Sequence, residues 1–124
     1  ILKMNIPIQV DSKDFILQSL HTIGTHIPQK DAYVLLVKSY RCGYCVQYQP
    51  MYEQFATQYP NVGFLILEAP DNIQMLQQWG ELASPAFQVN GYPTVIIFNR
   101  EGHPLSVVAD RTKINNDITK AIMA

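Results

Sequence analysis

The chain has 124 residues, 48% of them apolar and 15% charged, with a formal net charge of −1. That is enough for one domain, 1–124, around a single core, and the scattered charge gives no electrostatic footprint for nucleic acid or a membrane surface. The longest apolar runs, 33–37 and 62–67, are far too short to span a bilayer, and two cysteines are too few for a disulfide scaffold.

Ile6 to Val10 reads as an edge strand, because Pro7 cannot donate to a ladder. Asp11 or Ser12 can cap a helix whose inner face is Ile16, Leu20, Ile23 and Ile27, spaced four, three and four apart and ended by Pro28. Tyr33 to Val37 is a continuous apolar run, as in a strand buried on both faces. Cys45, Tyr48, Tyr52, Phe55 and Tyr59 form a second helical stripe, with Pro50 inside it as an expected kink. Val62 to Glu68 reads as another buried strand, and Asp71 or Asn72 as the cap of a helix carrying Ile73, Leu76 and Trp79. Val95 to Phe98 is a third apolar strand. Asn99-Arg100-Glu101-Gly102 signals a turn, and Leu105 to Ala109 pairs back. Thr112 caps a last helix with Ile114, Ile118 and Ile122 inward. The order β-α-β-α-β-α-β-β-α implies an α/β fold with a parallel core and an antiparallel hairpin at one edge.

The two cysteines, Cys42 and Cys45, lie in "SYRCGYCVQYQP", between a buried strand and a helix start. A helix N-terminus carries partial positive charge and unpaired N–H groups, and both favour a thiolate. Cys42 is expected to have a lowered pKa, helped by the charge of Arg41. Cys45, one turn on, lies on the core-facing stripe. The pair therefore divides into an exposed attacker and a shielded resolver, as disulfide exchange requires. Gly43 permits tight backbone geometry, and Tyr44 offers an aromatic surface. Two other readings stand beside this one. The pair is half of a zinc site completed by His21, His26 or His103, or both cysteines are inert core residues. Far along the chain, Asn90 to Phe98 places Gly91 and Pro93 just before a buried strand, where a proline is tolerated and can be cis.

Taken together, these features resemble the thioredoxin superfamily, over most of the chain from about Val10 to Ile122. A Cys-Gly-Tyr-Cys motif follows a buried strand and opens a helix. Pro50 sits eight residues after Cys42, at the family's kink proline. Gly91-Tyr92-Pro93-Thr94 looks like its cis-proline segment, and a hairpin and an amphipathic helix close the chain. The resemblance implies the thioredoxin fold, with a central mixed sheet flanked by helices. It also implies a thiol–disulfide oxidoreductase that needs no metal or organic cofactor. Cys42 would be the nucleophile and Cys45 the resolving thiol. Pro93 would face them, and the Tyr92 backbone would pair with an extended substrate segment, alongside Gly43 and Tyr44. The partners implied are protein thiols or disulfides and a reducing or oxidising protein. Neither nucleic acid nor membrane is expected, and a monomer is expected because Pro7 blunts the Ile6–Val10 edge.

The sequence also departs from the family. The buried carboxylate usually found six residues before the first cysteine is Leu36 here, and the tryptophan that commonly precedes that cysteine is Arg41. Lys38, on the same strand face as Leu36, would replace the base only if burial depressed its pKa. Leu36 keeps a second function open, a thioredoxin-like module that binds a client with little turnover. The region Ala69 to Val89, which holds the lone Trp79, is longer than in a minimal thioredoxin and reads as a longer surface helix and loop. No charged segment followed by an apolar stretch marks a signal peptide, but the chain opens on Ile1. The compartment is therefore open. The cytoplasm is slightly favoured, and a periplasmic or other oxidising one fits if a preceding segment is removed.

Overall fold

The computed structural model describes residues 5–16, 22–24, 26–82 and 89–124. Five strands form one mixed sheet in the order β1-β5-β4-β6-β7: β1 (Ile8–Val10), β4 (Ala32–Lys38), β5 (Val62–Glu68), β6 (Thr94–Phe98) and β7 (Pro104–Val107). β1, β5 and β4 run parallel, and β6 and β7 are antiparallel to their neighbours. Two further short strands, β2 (Phe15–Ile16) and β3 (Thr22–Ile23), pair with each other as a separate ribbon. The helices are α1 (Gly43–Gln58), α2 (Ile73–Leu82) and α3 (Asn115–Met123). The α/β class, the mixed sheet and the closing hairpin and helix agree with the sequence reading.

The helix expected between Ser12 and Ile27 is the main correction. One 3-10 turn, Ser12–Asp14, takes its place, followed by the β2–β3 ribbon, so the described residues hold three α-helices where the sequence pattern implied four. The capping signal was real. Asp11 and Asp14 form a reciprocal capping box, but it closes a single turn. Tertiary contacts override the spacing. Phe15 and Ile23 are buried in the sheet's second face, the Gly24 amide donates to the Asp14 carbonyl at 2.7 Å, and the Ile23 amide donates to the Gly102 carbonyl at 3.0 Å. Leu20 and His21 lie outside the described residues. The last helix starts later than Thr112, which instead donates through backbone and hydroxyl to Asp110.

β4 is the axis of the core. Its residues Ala32 to Val37 are all buried, as the unbroken apolar run required. Alternation sends Val34 and Leu36 to one face, where they meet Tyr48, Tyr52 and Phe55 of α1 and Ile118 of α3. Leu35 and Val37 go to the other, with Phe15, Ile23 and Met75. Gly63 stands opposite Tyr33 in the parallel register, and a Cβ there would lie 2.7 Å from the Tyr33 ring, so this strand position has room for hydrogen only.

Among the described residues, Tyr52 is the largest fully buried side chain. Its hydroxyl lies 2.7 Å from the Leu65 carbonyl and 2.9 Å from that of Val34, and its one hydrogen bonds between them, which ties α1 to both central strands. Burial pushes its ionisation well above the usual tyrosine range. Asn5 performs a similar service at the other end of α1, with its amide nitrogen 2.9 Å from the carbonyls of Ala56, Tyr59 and Val62. Tyr52→Phe removes a buried donor while keeping the ring. It is expected to lower unfolding stability by about 1–2 kcal/mol, read as a lower denaturation midpoint at unchanged slope.

Candidate functional site

β4 ends at Lys38, and a four-residue loop carries the chain to α1. The loop is tightly bonded. The Cys42 amide donates to the Ser39 carbonyl at 3.0 Å, and the Arg41 amide to Ser39 Oγ at 3.2 Å. Cys42 is the N-cap of α1, with extended backbone, and its Sγ accepts the Cys45 amide at 3.1 Å. The sulfur thus sits where a capping oxygen usually does, and the hydrogen bond it accepts strengthens when it carries charge. α1 has no acidic residue in its first turn to oppose that charge.

Both cysteines are free thiols, Cys42 partly exposed and Cys45 fully buried. Cys45 is pushed up to about 11, chiefly by burial and then by its hydrogen bond with Cys42; the Ser39 backbone and the charge of Lys38 pull the other way. Pro50 lies within α1 on the exposed side, where it leaves one carbonyl of the preceding turn without its helical donor.

The second component is the loop before β6. The Tyr92–Pro93 bond is cis, and Pro93 is buried. The Tyr92 carbonyl accepts the Cys42 thiol at 3.6 Å, so two segments 50 residues apart meet at the outer sulfur. Thr94 Oγ1 donates to the Gly91 carbonyl at 2.6 Å and steadies the turn. β6 pairs with β4 through Thr94 opposite Val37, and this register delivers Pro93 to the end of β4.

Tyr40, Tyr44 and Tyr92 are exposed on the segments that converge at Cys42, with Val46 one turn further along α1. Arg41 stands over the Tyr40 ring, 5.6 Å from its centre, and its guanidinium is spent on that contact as well as on solvent. Gly43 differs from expectation. A Cβ there would meet nothing within 4 Å and its backbone is ordinary helix, so tight geometry does not require glycine; its effect is an uncovered surface beside Cys42. Gly91 is equally open.

Leu36 is completely buried beneath α1, so the position six residues before Cys42 is apolar in place as well as in sequence. The charge lies two residues on. Lys38 Nζ meets Glu68 Oε1 at 2.7 Å, with both side chains about one-sixth exposed, at 17% and 16%. Lys38 therefore does not snorkel free into water; it is held in an ion pair. Glu68 Oε2 also accepts the Tyr40 amide at 3.1 Å. Sequence alone marks Glu68 only as a strand end. The available signal was the matched pattern of two seven-residue strands, each six apolar residues closed by a charge, which meet when paired in register. His26 and His103 are exposed, and among the described residues no three His, Cys, Asp or Glu side chains gather as for a metal ion. No described helix is long and apolar enough to cross a membrane.

A family profile for thioredoxin matches residues 21–123. Thioredoxin f of spinach chloroplast is 23% identical, over 98% of this chain and 97% of that one, with a TM-score of 0.69. A mutant thioredoxin of Halobacterium salinarum reaches a TM-score of 0.70 at 17% identity, over 98% and 96%. The thioredoxin of Trypanosoma brucei brucei gives 0.67 at 21% identity, over 98% and 96%. No curated protein sequence matches. At these identities the structures attest the shared fold, and the profile spans most of the chain: this protein belongs to the thioredoxin family.

Proposed function

We propose that the protein is a thiol–disulfide oxidoreductase acting on protein cysteines. The observation that carries this is the asymmetry of the pair. The Cys42 sulfur is accessible, capped on a helix N-terminus and within 3.6 Å of the Tyr92 carbonyl, while Cys45 is sealed behind it. As a thiolate, Cys42 attacks one sulfur of a client disulfide. One client thiolate leaves, and a mixed disulfide forms. Cys45 then loses its proton and attacks Cys42 Sγ; the Cys42–Cys45 bond forms and the second client thiolate leaves. Two electrons pass from the dithiol to the client, and the reverse sequence oxidises a client dithiol. An extended client segment fits against the Tyr92–Pro93 backbone, with Gly43 leaving space and Tyr44 and Tyr92 giving apolar contact.

Burial explains why Cys45 does not compete as nucleophile. A thiol pushed up to about 11 is almost wholly protonated at neutral pH. Leu36 favours a second reading, a client-binding module in which Cys45 resolves slowly. Insulin reduction with dithiothreitol separates the two. The oxidoreductase accelerates precipitation of the B chain and Cys42→Ser abolishes the acceleration, whereas a binding module matches the uncatalysed rate.

Two more outcomes are expected. In iodoacetamide titrations of the reduced protein followed by mass, one label enters first, on exposed Cys42. The second enters only as pH climbs toward the region of 11, because burial, the largest cause of the Cys45 shift, persists after Cys42 is capped. In glutathione redox buffers, the Cys42–Cys45 couple is expected above about −270 mV, since a site without the buried carboxylate favours the reduced form. A potential at or below that value contradicts this expectation.

A further inference from the structure

Resolution is the step the fold is least equipped for, because the resolving thiol is buried and position 36 carries no carboxylate. While Cys42 is in a mixed disulfide its sulfur is neutral, so its charge no longer opposes ionisation of Cys45. Burial still opposes it. What remains on the favourable side is the Ser39 backbone and the charge of Lys38.

Geometry puts Lys38 there. It follows Val34 and Leu36 on the face of β4 that α1 covers, and Cys45 is in the first turn of α1. The backbone of Ser39, the next residue, also favours the Cys45 thiolate. Glu68 fixes Lys38 in place through Oε1, and through Oε2 it holds the loop between Lys38 and Cys42. A lysine this far from water is tolerable because the pairing offsets its lost hydration. We propose that Lys38, held by Glu68, is the positioning residue for resolution: its ammonium stabilises the Cys45 thiolate as it attacks the mixed disulfide, in place of a carboxylate at Leu36.

The step balances simply. The Cys45 proton goes to water, the Cys45–Cys42 bond forms as the Cys42–client bond breaks, and the client thiolate takes up a proton. Lys38 stays charged throughout. The other charged groups around the pair are few. Asp11, Lys13 and Asp71 line, with Glu68, an open cleft of about 450 Å³, Arg41 lies over the Tyr40 ring beside Cys42, and Arg111 stands over Tyr48 of α1, with the charge of Asp110 also acting on that tyrosine.

The proposal rests on the redox reading above, and stopped-flow reaction with an aromatic disulfide tests both separately. The first coloured thiolate released reports attack by Cys42. A second release whose rate is independent of reagent concentration reports attack by Cys45. Wild type lacking the second release refutes the redox reading itself. Where it is present, Lys38→Met is expected to slow it about tenfold at neutral pH and move its pH midpoint upward, the first release changing much less. Lys38→Arg restores it. Glu68→Gln keeps an acceptor for the Tyr40 amide but unpairs the Lys38 charge, so its midpoint moves downward. Loss of packing alone would slow both variants alike. A Lys38→Met profile that overlays wild type, or a Glu68→Gln midpoint that is unmoved or displaced upward, overturns the proposal.

Discussion

The in-register parallel pairing of β4 with β5 is the constraint from which the rest follows. Seven residues of each strand match one to one, from Ala32 with Val62 to Lys38 with Glu68. Six of every seven are buried, so a one-residue slip would send each apolar side chain to the wrong face and part the terminal charges. Tyr52 reinforces the match by placing its hydroxyl within hydrogen-bond distance of one carbonyl from each strand. The site stands at the carboxyl ends of these strands, where open α/β sheets commonly place their chemistry.

From that edge, hydrogen bonds fix the cysteines in sequence. Glu68 holds Tyr40, Ser39 holds Arg41 and Cys42, and Cys42 caps the helix that buries Cys45. β6 adds the last part from the other side of β4, since its antiparallel register brings Tyr92 and Pro93 level with the outer sulfur. A loop so thoroughly bonded orders the two sulfurs in advance, which lowers the ordering cost of any reaction there. The tyrosines around it, Tyr40, Tyr44 and Tyr92, stay exposed.

Legibility in the sequence followed the strength of the local signal. The β4 and β5 runs, the α1 stripe and the cysteine placement were readable because their periods are unambiguous and their neighbours agree. The segment after Asp11 misled because a real capping box and a helical spacing of isoleucines coincide there. What decides its fold is remote, namely Gly102 bonding Ile23 and the second sheet face taking Phe15. Thr112 misled similarly, as its hydroxyl prefers the nearby Asp110. Glu68 went unread because its partner lies thirty residues away, and only the strand register makes them neighbours. Gly43 invited a steric explanation that the open space around it does not support.

The replacement of a lone buried carboxylate by an ion pair changes the electrostatics of this site in kind. An ionised carboxylate near two thiols repels both thiolates and helps only by taking a proton. A Lys–Glu pair has no net charge, so it adds little field at the exposed Cys42, but it is a dipole at short range, and the field of a dipole depends on which end is nearer. Here the end that acts on Cys45 is Lys38, whose charge favours the thiolate, and Glu68 accepts the Tyr40 amide and lines the cleft beyond. The same pair also satisfies the strand end it occupies, so it stands without the desolvation cost of an unpaired charge. Apolar Leu36 then becomes intelligible. With charge supplied one step further along the same strand face, the position beneath α1 is free to pack, and it does so completely.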